Sequence, residues 1–239
     1  MSGHSKWSKV KHQKATTDVV KAAAFTRASH GITIAVREGG GADPDRNFHL
    51  RLAIEKARDV NMPKENIERA IAKAEGAGGL AIEQIILEGY GPGGIAILVE
   101  AATDNRQRTV SQVKNVLERS GGSLAEPGAV SFQFARRGVL TIHKTGQTLD
   151  SLVGVAIDAG ADDVTETIDL FEVYTNPKAL HAVKKIFEEK GIAIENAVLI
   201  MHPTMSIPVS DAHMSALEEI TNLLSELSDV QSVYTNVAN

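Results

Sequence analysis

The stretch Gly3-His4-Ser5-Lys6-Trp7, followed by Lys9, Lys11, His12 and Lys14, gathers lysines, hydroxyls and the one tryptophan of the chain into a short arm. Lysines and hydroxyls of this kind pair with phosphate oxygens. An indole among them either stacks on a base or pins the arm to a neighbouring domain. The first 37 residues carry seven basic side chains (Lys6, Lys9, Lys11, Lys14, Lys21, Arg27 and Arg37) against Asp18, with Glu38 just beyond. Lys6, Trp7, Lys9, Lys11, His12, Lys14, Lys21 and Arg27 are therefore candidate contacts to a polyanion.

A second candidate is Thr103-Asp104-Asn105-Arg106-Gln107-Arg108-Thr109, where a strand gives way to a helix. Free N–H groups, the positive end of the helix dipole and two guanidinium groups in the first turn make an anion site there. The plainer reading is capping by Asp104 or Asn105, with Arg106 and Arg108 exposed. Both readings stay open at this point.

Other chemistries find little purchase. With no cysteine there is no disulfide framework, thiolate zinc site or Cys nucleophile, and a reducing compartment is expected. His4, His12, His30 and His49 have no HxxxH or HExxH spacing and few carboxylates beside them, so no metal is expected. Gly89-Tyr90-Gly91-Pro92-Gly93-Gly94 follows a strand but opens no helix and lacks GK[ST]; it reads as a hairpin turn, not a phosphate cradle. No nucleophile elbow, carboxylate pair or dinucleotide fingerprint is present, so neither an enzyme nor a cofactor is expected. Phe132 and Phe134 alternate with Ser131 and Gln133 and share a face with Val130, which predicts core positions, not a base-stacking platform.

The net charge of −5 conceals a division. Met1–Gly76 holds 14 Lys and Arg against 9 Asp and Glu, a net of +5, while the remainder holds 11 against 21, a net of −10. One end is thus suited to DNA or ribosomal RNA, while the acidic rest stays soluble by self-repulsion and offers surface to protein partners. Hydrophobic content of 43% is that of a globular chain. Met1–Val10 lacks the apolar segment of a secretory signal, and no apolar run reaches 18 residues, so a cytoplasmic monomer without membrane association is expected.

Positioning these groups falls to elements read from periodicity. Asp18–Arg37, Asn47–Val60 and a segment opened by Pro63 and closed near Gly76 have helical spacing, with Gly39–Gly41 and Asp43-Pro44-Asp45 between the first two. Gln84–Tyr90 and Gly94–Ala101 read as strands, Asn105–Arg119 as a helix, and Ala129–Phe134 as a strand. From Gly138 the order is strand, helix, strand, strand, helix, strand, the split βαβ pattern of a ferredoxin-like domain. A helix over Asp211–Leu227 and a strand over Val230–Val237 then lack partners of their own. The preceding strand-strand-helix-strand unit needs one of each.

The fold class expected is α+β: an N-terminal three-helix module followed by two α/β-sandwich, ferredoxin-like domains, the last inserted into the middle one. The expected divisions are 1–79, then 80–137 with 202–239, and an inserted 138–201, with Arg136-Arg137 and His202–Pro208 as linkers.

These stretches together resemble the YebC family, which includes the mitochondrial translational activator of cytochrome c oxidase. The matching residues are Gly3–Trp7, Lys11-His12-x-Lys14, Gly39–Pro44, Asn61-Met62-Pro63-Lys64 with Ile67-Glu68, Glu88–Gly94, and Thr103-Asp104-Asn105-Arg106-x-Arg108-Thr109. The chain departs at Lys21-Ala22-Ala23-Ala24-Phe25, where the family usually has a further basic residue before the aromatic, and at Leu87, where tyrosine is common. The resemblance implies a three-domain, cytoplasmic, non-enzymatic regulator of gene expression. It is similar to DNA-binding transcriptional regulators and, in several members, to ribosome-associated translation factors. No helix offers a major-groove pattern of Arg, Asn and Gln.

Overall fold

The structure, a computed structural model, describes residues 18–76 and 81–238. Helices α1 (Asp18–Glu38), α2 (Phe48–Asp59) and α3 (Lys64–Glu75) share one apolar core. Ile32, Ala35 and Val36 meet Leu50, Ile54, Ala57, Met62, Ile67, Ala70 and Ala74 there. The turn before α2 is organised by Asn47, which is wholly buried. Its Oδ1 accepts from the Leu50 N–H at 2.9 Å, and its Nδ2 donates to the carbonyls of Ala35 and Gly41, each at 2.7 Å. One side chain thus caps α2 and ties it to the end of α1. Between α2 and α3, Asn61 takes a left-handed φ of 58° and Pro63 precedes the first residue of α3.

The next strands are β1 (Glu83–Tyr90), β2 (Ala96–Thr103), β3 (Ser123–Ala125) and, near the end of the chain, β8 (Val230–Thr235). They form one antiparallel sheet in the order β3-β1-β2-β8. Helices α4 (Arg106–Arg119) and α7 (Asp211–Glu226) cover one face. Their Val113, Leu117, Leu217, Ile220 and Leu224 pack on Ile85, Leu87, Ile97 and Val99 of the strands. Helix α1 packs against β2 and β8. The short β3 has no sequence expectation behind it, because three residues are too few to show alternation.

A second sheet joins β4 (Phe134–His143), β5 (Asp163–Glu166), β6 (Leu170–Thr175) and β7 (Asn196–Pro203) in the order β5-β6-β4-β7, again antiparallel. Helices α5 (Leu149–Ala159) and α6 (Leu180–Glu189) contact each other and this sheet. Leu152, Leu180, Val183 and Phe187 supply its buried side chains from the helices, Leu140, Ile142 and Val173 from the strands. The fold is therefore α+β, helices first and then two four-stranded antiparallel sheets. Two compact units result. One runs to Gln133 and resumes at Met205, and the other is Phe134–Thr204.

Two local expectations need correction. Strand β4 starts at Phe134, not near Gly138, so Arg136 and Arg137 are strand residues paired with Met201 and Ile200 and not a linker; β7 likewise runs on to Pro203. Ala129–Phe134 is not a strand either, since Ser131–Gln133 form a turn of 3-10 helix. Phe134 is buried as expected, but Phe132 is 70% exposed. In a 3-10 turn successive side chains are about 120° apart, so residues two apart no longer share a face.

Candidate nucleic-acid interface

Lys6, Trp7, Lys9, Lys11, His12 and Lys14 lie outside the described residues. Of the 14 basic residues up to Gly76, the four lysines of this arm face no acid before Asp18, whereas residues 18–76 carry ten bases against nine acids. The positive excess of this end is therefore mostly the arm's. Lys21, early in α1, is exposed. On α3 the exposed charges are Lys64, Arg69 and Lys73 with Glu65, Glu68 and Glu75, and Lys64 is 3.5 Å from Glu68. That helix surface is neutral.

Arg27 is turned inward. Its Nη2 donates to the carbonyl of Ser225 and lies 3.4 Å from that of Leu227, at the C-terminus of α7. A guanidinium there satisfies carbonyls left over by the helix and meets the negative end of its dipole. Burial pulls the pKa of this group below the ordinary arginine value. Two neighbours complete the attachment of α1. Gln231 Nε2 donates to the Arg27 carbonyl at 3.3 Å, and His30 Nδ1 is 2.9 Å from the Ala102 carbonyl oxygen.

The two arginines of the Thr103–Thr109 stretch have different surroundings. Asn105 is the N-cap of α4, its Oδ1 accepting from the Arg108 N–H at 3.1 Å. Arg108 Nη2 reaches Asp104 Oδ1 at 2.8 Å and Asp229 Oδ2 at 2.6 Å. Asp229, just before β8, is buried and also accepts from the hydroxyls of Thr103 at 3.0 Å and Thr109 at 2.7 Å. Burial alone would raise its pKa. The hydrogen bonds from Arg108, Thr109 and Thr103 outweigh that and hold the carboxyl below the ordinary aspartate value. Arg106, by contrast, is 57% exposed and only 3.8 Å from Glu83 Oε2, a pairing of small energetic weight. Arg106 is the more open of the pair, since Arg108 is 43% exposed and committed to two carboxylates.

Sequence reasoning missed Glu88. This buried carboxylate at the end of β1 accepts from the backbone N–H groups of Gly128, Val130 and Ser131 at 2.7, 2.6 and 2.8 Å. It straps the segment 126–133 to the sheet. Burial raises its pKa, but the three amides and the Ser131 hydroxyl bring it below the ordinary glutamate value. The glycines around it are packing requirements. A Cβ on Gly89 would come within 2.8 Å of the Ser123 carbonyl oxygen and 2.9 Å of Leu117, and Gly93, at φ 73°, leaves room only for the His213 ring. Glu88 opens the Glu88–Gly94 stretch that carries the family resemblance, but nothing local gives its role, since its partners are some forty residues away.

Among the described residues no group of three or more His, Asp or Glu could hold a metal ion, and no helix is long and apolar enough to cross a membrane. A hollow of about 250 Å³ lies among Phe25, Thr26, Ser29, His30, Thr33, Lys73 and Ile82. The Thr26 and Thr33 hydroxyls beside it donate to the helix carbonyls of Ala22 and Ser29.

An α+β chain with helices first, two four-stranded antiparallel sheets and a positive excess confined to its N-terminal end is the class that these features define. Residues 5–77 match the TACO1/YebC protein N-terminal domain and residues 82–237 the TACO1/YebC second and third domain. The chain belongs to the TACO1/YebC family. It is 46% identical over 240 residues to a "Probable transcriptional regulatory protein" of Chloroflexus aggregans, covering 99% of this chain and 95% of the relative. A protein of the same description from Syntrophomonas wolfei is 42% identical, with 100% and 96% covered. Among solved structures, the conserved hypothetical protein Aq1575 from Aquifex aeolicus superposes with a TM-score of 0.84 at 38% identity, over 96% of this chain and 95% of that one.

Proposed function

We propose that the chain is a non-enzymatic, cytoplasmic, nucleic-acid-binding regulator of gene expression that grips phosphate through its basic N-terminal arm. The charge division carries this reading: a net of +5 up to Gly76 and −10 beyond it. Lys6, Trp7, Lys9, Lys11, His12, Lys14, Lys21 and Arg106 are its contact residues, while Arg27 and Arg108 hold α1 and α4 to the C-terminal part of the chain. The relatives are described as probable transcriptional regulatory proteins, and we infer DNA as the target from that.

One observation favours ribosomal RNA as a second reading. The helix α2–turn–α3 pair has the connection of a helix-turn-helix, but α3 presents glutamates and lysines in balance, which suits no major groove. Co-sedimentation of the full-length chain with ribosomes, before and after nuclease treatment, set beside its affinity for duplex DNA, separates the two. Replacing Lys6, Lys9, Lys11 and Lys14 with alanine abolishes binding to the true target. Unchanged binding by that variant would remove the arm from the reading.

A further inference from the structure

Helix α1 presents one stripe of side chains, Phe25, Thr26, Ser29, His30 and Thr33, to the hollow of about 250 Å³ that Lys73 of α3 and Ile82 complete. What these groups offer a ligand is one-sided. The Thr26 and Thr33 hydroxyl protons are spent on the carbonyls of Ala22 at 3.0 Å and Ser29 at 2.9 Å, which leaves their oxygens as acceptors. His30 Nδ1 faces the Ala102 carbonyl, which can only accept, so Nδ1 bears the proton and Nε2 of the neutral ring is a further acceptor. Phe25 and Ile82 supply apolar wall, and Arg37 Nη1 holds the Ile82 carbonyl at 3.4 Å. Lys73 is exposed and makes no ion pair among the described residues.

We propose that this hollow binds a nucleotide: an amino-bearing base lies against Phe25 and Ile82 and donates to the threonine and histidine acceptors, and its phosphate pairs with Lys73. The inference goes beyond the arm's grip on polyanions and does not depend on it. Walls rich in acceptors disfavour a bare phosphate, which only accepts, and the lysine disfavours a polyamine, which shares its charge. The ligand must bring N–H donors on a flat ring at one end and negative charge at the other. A nucleotide of adenine, cytosine or guanine does both. The volume falls just below the range of about 300–1,000 Å³ for pockets that take larger organic ligands, so one base enters and the sugar stays outside. The nucleotide is either free or one extruded residue of a strand, since the base and phosphate are the same in both.

The test titrates the full-length chain with adenosine monophosphate, with purine riboside monophosphate, which lacks the amino group, and with an eight-nucleotide oligoadenylate. Thr33→Val keeps the side-chain shape, removes one acceptor and weakens adenosine monophosphate about fivefold, to the level of the analogue without the amino group. Lys73→Gln, at an exposed position, causes a similar loss that disappears in high salt, and it carries the test if Thr33→Val does not fold. The variant with alanine at Lys6, Lys9, Lys11 and Lys14 keeps this binding, because a mononucleotide has one phosphate to seat and not four. Losses confined to the oligoadenylate identify the strand as the source, and losses on both probes identify the free nucleotide. Wild-type affinity of Thr33→Val and Lys73→Gln for both probes overturns the proposal. Equal affinity for adenosine monophosphate and its analogue overturns it as well, and so does loss of mononucleotide binding in the arm variant.

Discussion

Arg108 Nη2 lies 2.6 Å from Asp229 Oδ2, across 121 residues of sequence. The pair joins the first turn of α4 to the residue that precedes β8, and Thr103 and Thr109 close the network around the same oxygen. A sequence stretch that looked like an anion grip is thus half fastener: Arg108 binds an internal anion, and Arg106 is the more open of the two, at 57% against 43%.

Arg108→Gln should therefore lower stability by about 1–3 kcal/mol, because it leaves a buried acceptor short of a charged donor. Arg106→Gln should stay within about 0.5 kcal/mol of wild type, as an exposed side chain does. Thermal melts of the two single variants, run beside nucleic-acid affinity, check this. The expected split is a lower melting temperature for the first and weaker binding without a stability change for the second. A stable, binding-deficient Arg108→Gln would reverse the assignment.

Glu88 and Asp229 both have carboxyl pKa values below their ordinary ones. Such groups contribute stability that is present above the unfolded-state values, about 4, and is lost as the pH falls through them toward the folded values. Urea midpoints taken from pH 7 down to pH 2.5 should decline on the acid side. Glu88→Gln should flatten that decline and cost about 1–3 kcal/mol at neutral pH. The same variant should lose hydrogen-exchange protection first at the amides of Gly128, Val130 and Ser131, which the carboxylate holds.

Arg27→Ala should destabilise by about 1–2 kcal/mol through the loss of the carbonyl contacts at the end of α7. Arg27→Lys should not fully restore stability, since one ammonium cannot reproduce a planar fork. Chemical denaturation of both variants measures the effect. If Arg27→Ala retains wild-type stability yet loses nucleic-acid affinity, the side chain has left its carbonyls to meet phosphate.

The order of helices and strands was legible because the sequence announces it by period. Leu50, Ile54 and Ala57 lie one helical turn apart, and glycine and proline mark the turns. Elements without a period were not: β3 is three residues long, and Val130, Phe132 and Phe134 mimic strand alternation across a turn that is 3-10. The candidate site rests on composition and not on geometry. The clustered lysines show themselves in any charge count. The inward turn of Arg27, the Asp229 partner of Arg108 and the Glu88 strap each depend on a contact far along the chain, and no local pattern encodes such a contact.

The arm itself sets the last expectation. If its four lysines each neutralise a phosphate, with about one more contact from Lys21 or Arg106, log K should fall with log salt at a slope near −4. Each lysine-to-alanine change in the arm should lower the magnitude of that slope by about 1, and nearly equally on unrelated sequences, because phosphate contacts carry no base information. The acidic remainder repels the same polyanion, so neutralising the arm stepwise should end in no measurable binding and not in a weak residual. Titrations between 50 and 200 mM salt on two scrambled sequences measure slope and specificity together. A slope near zero, or one sequence bound orders of magnitude more tightly than the other, would mean that base contacts outside the arm dominate.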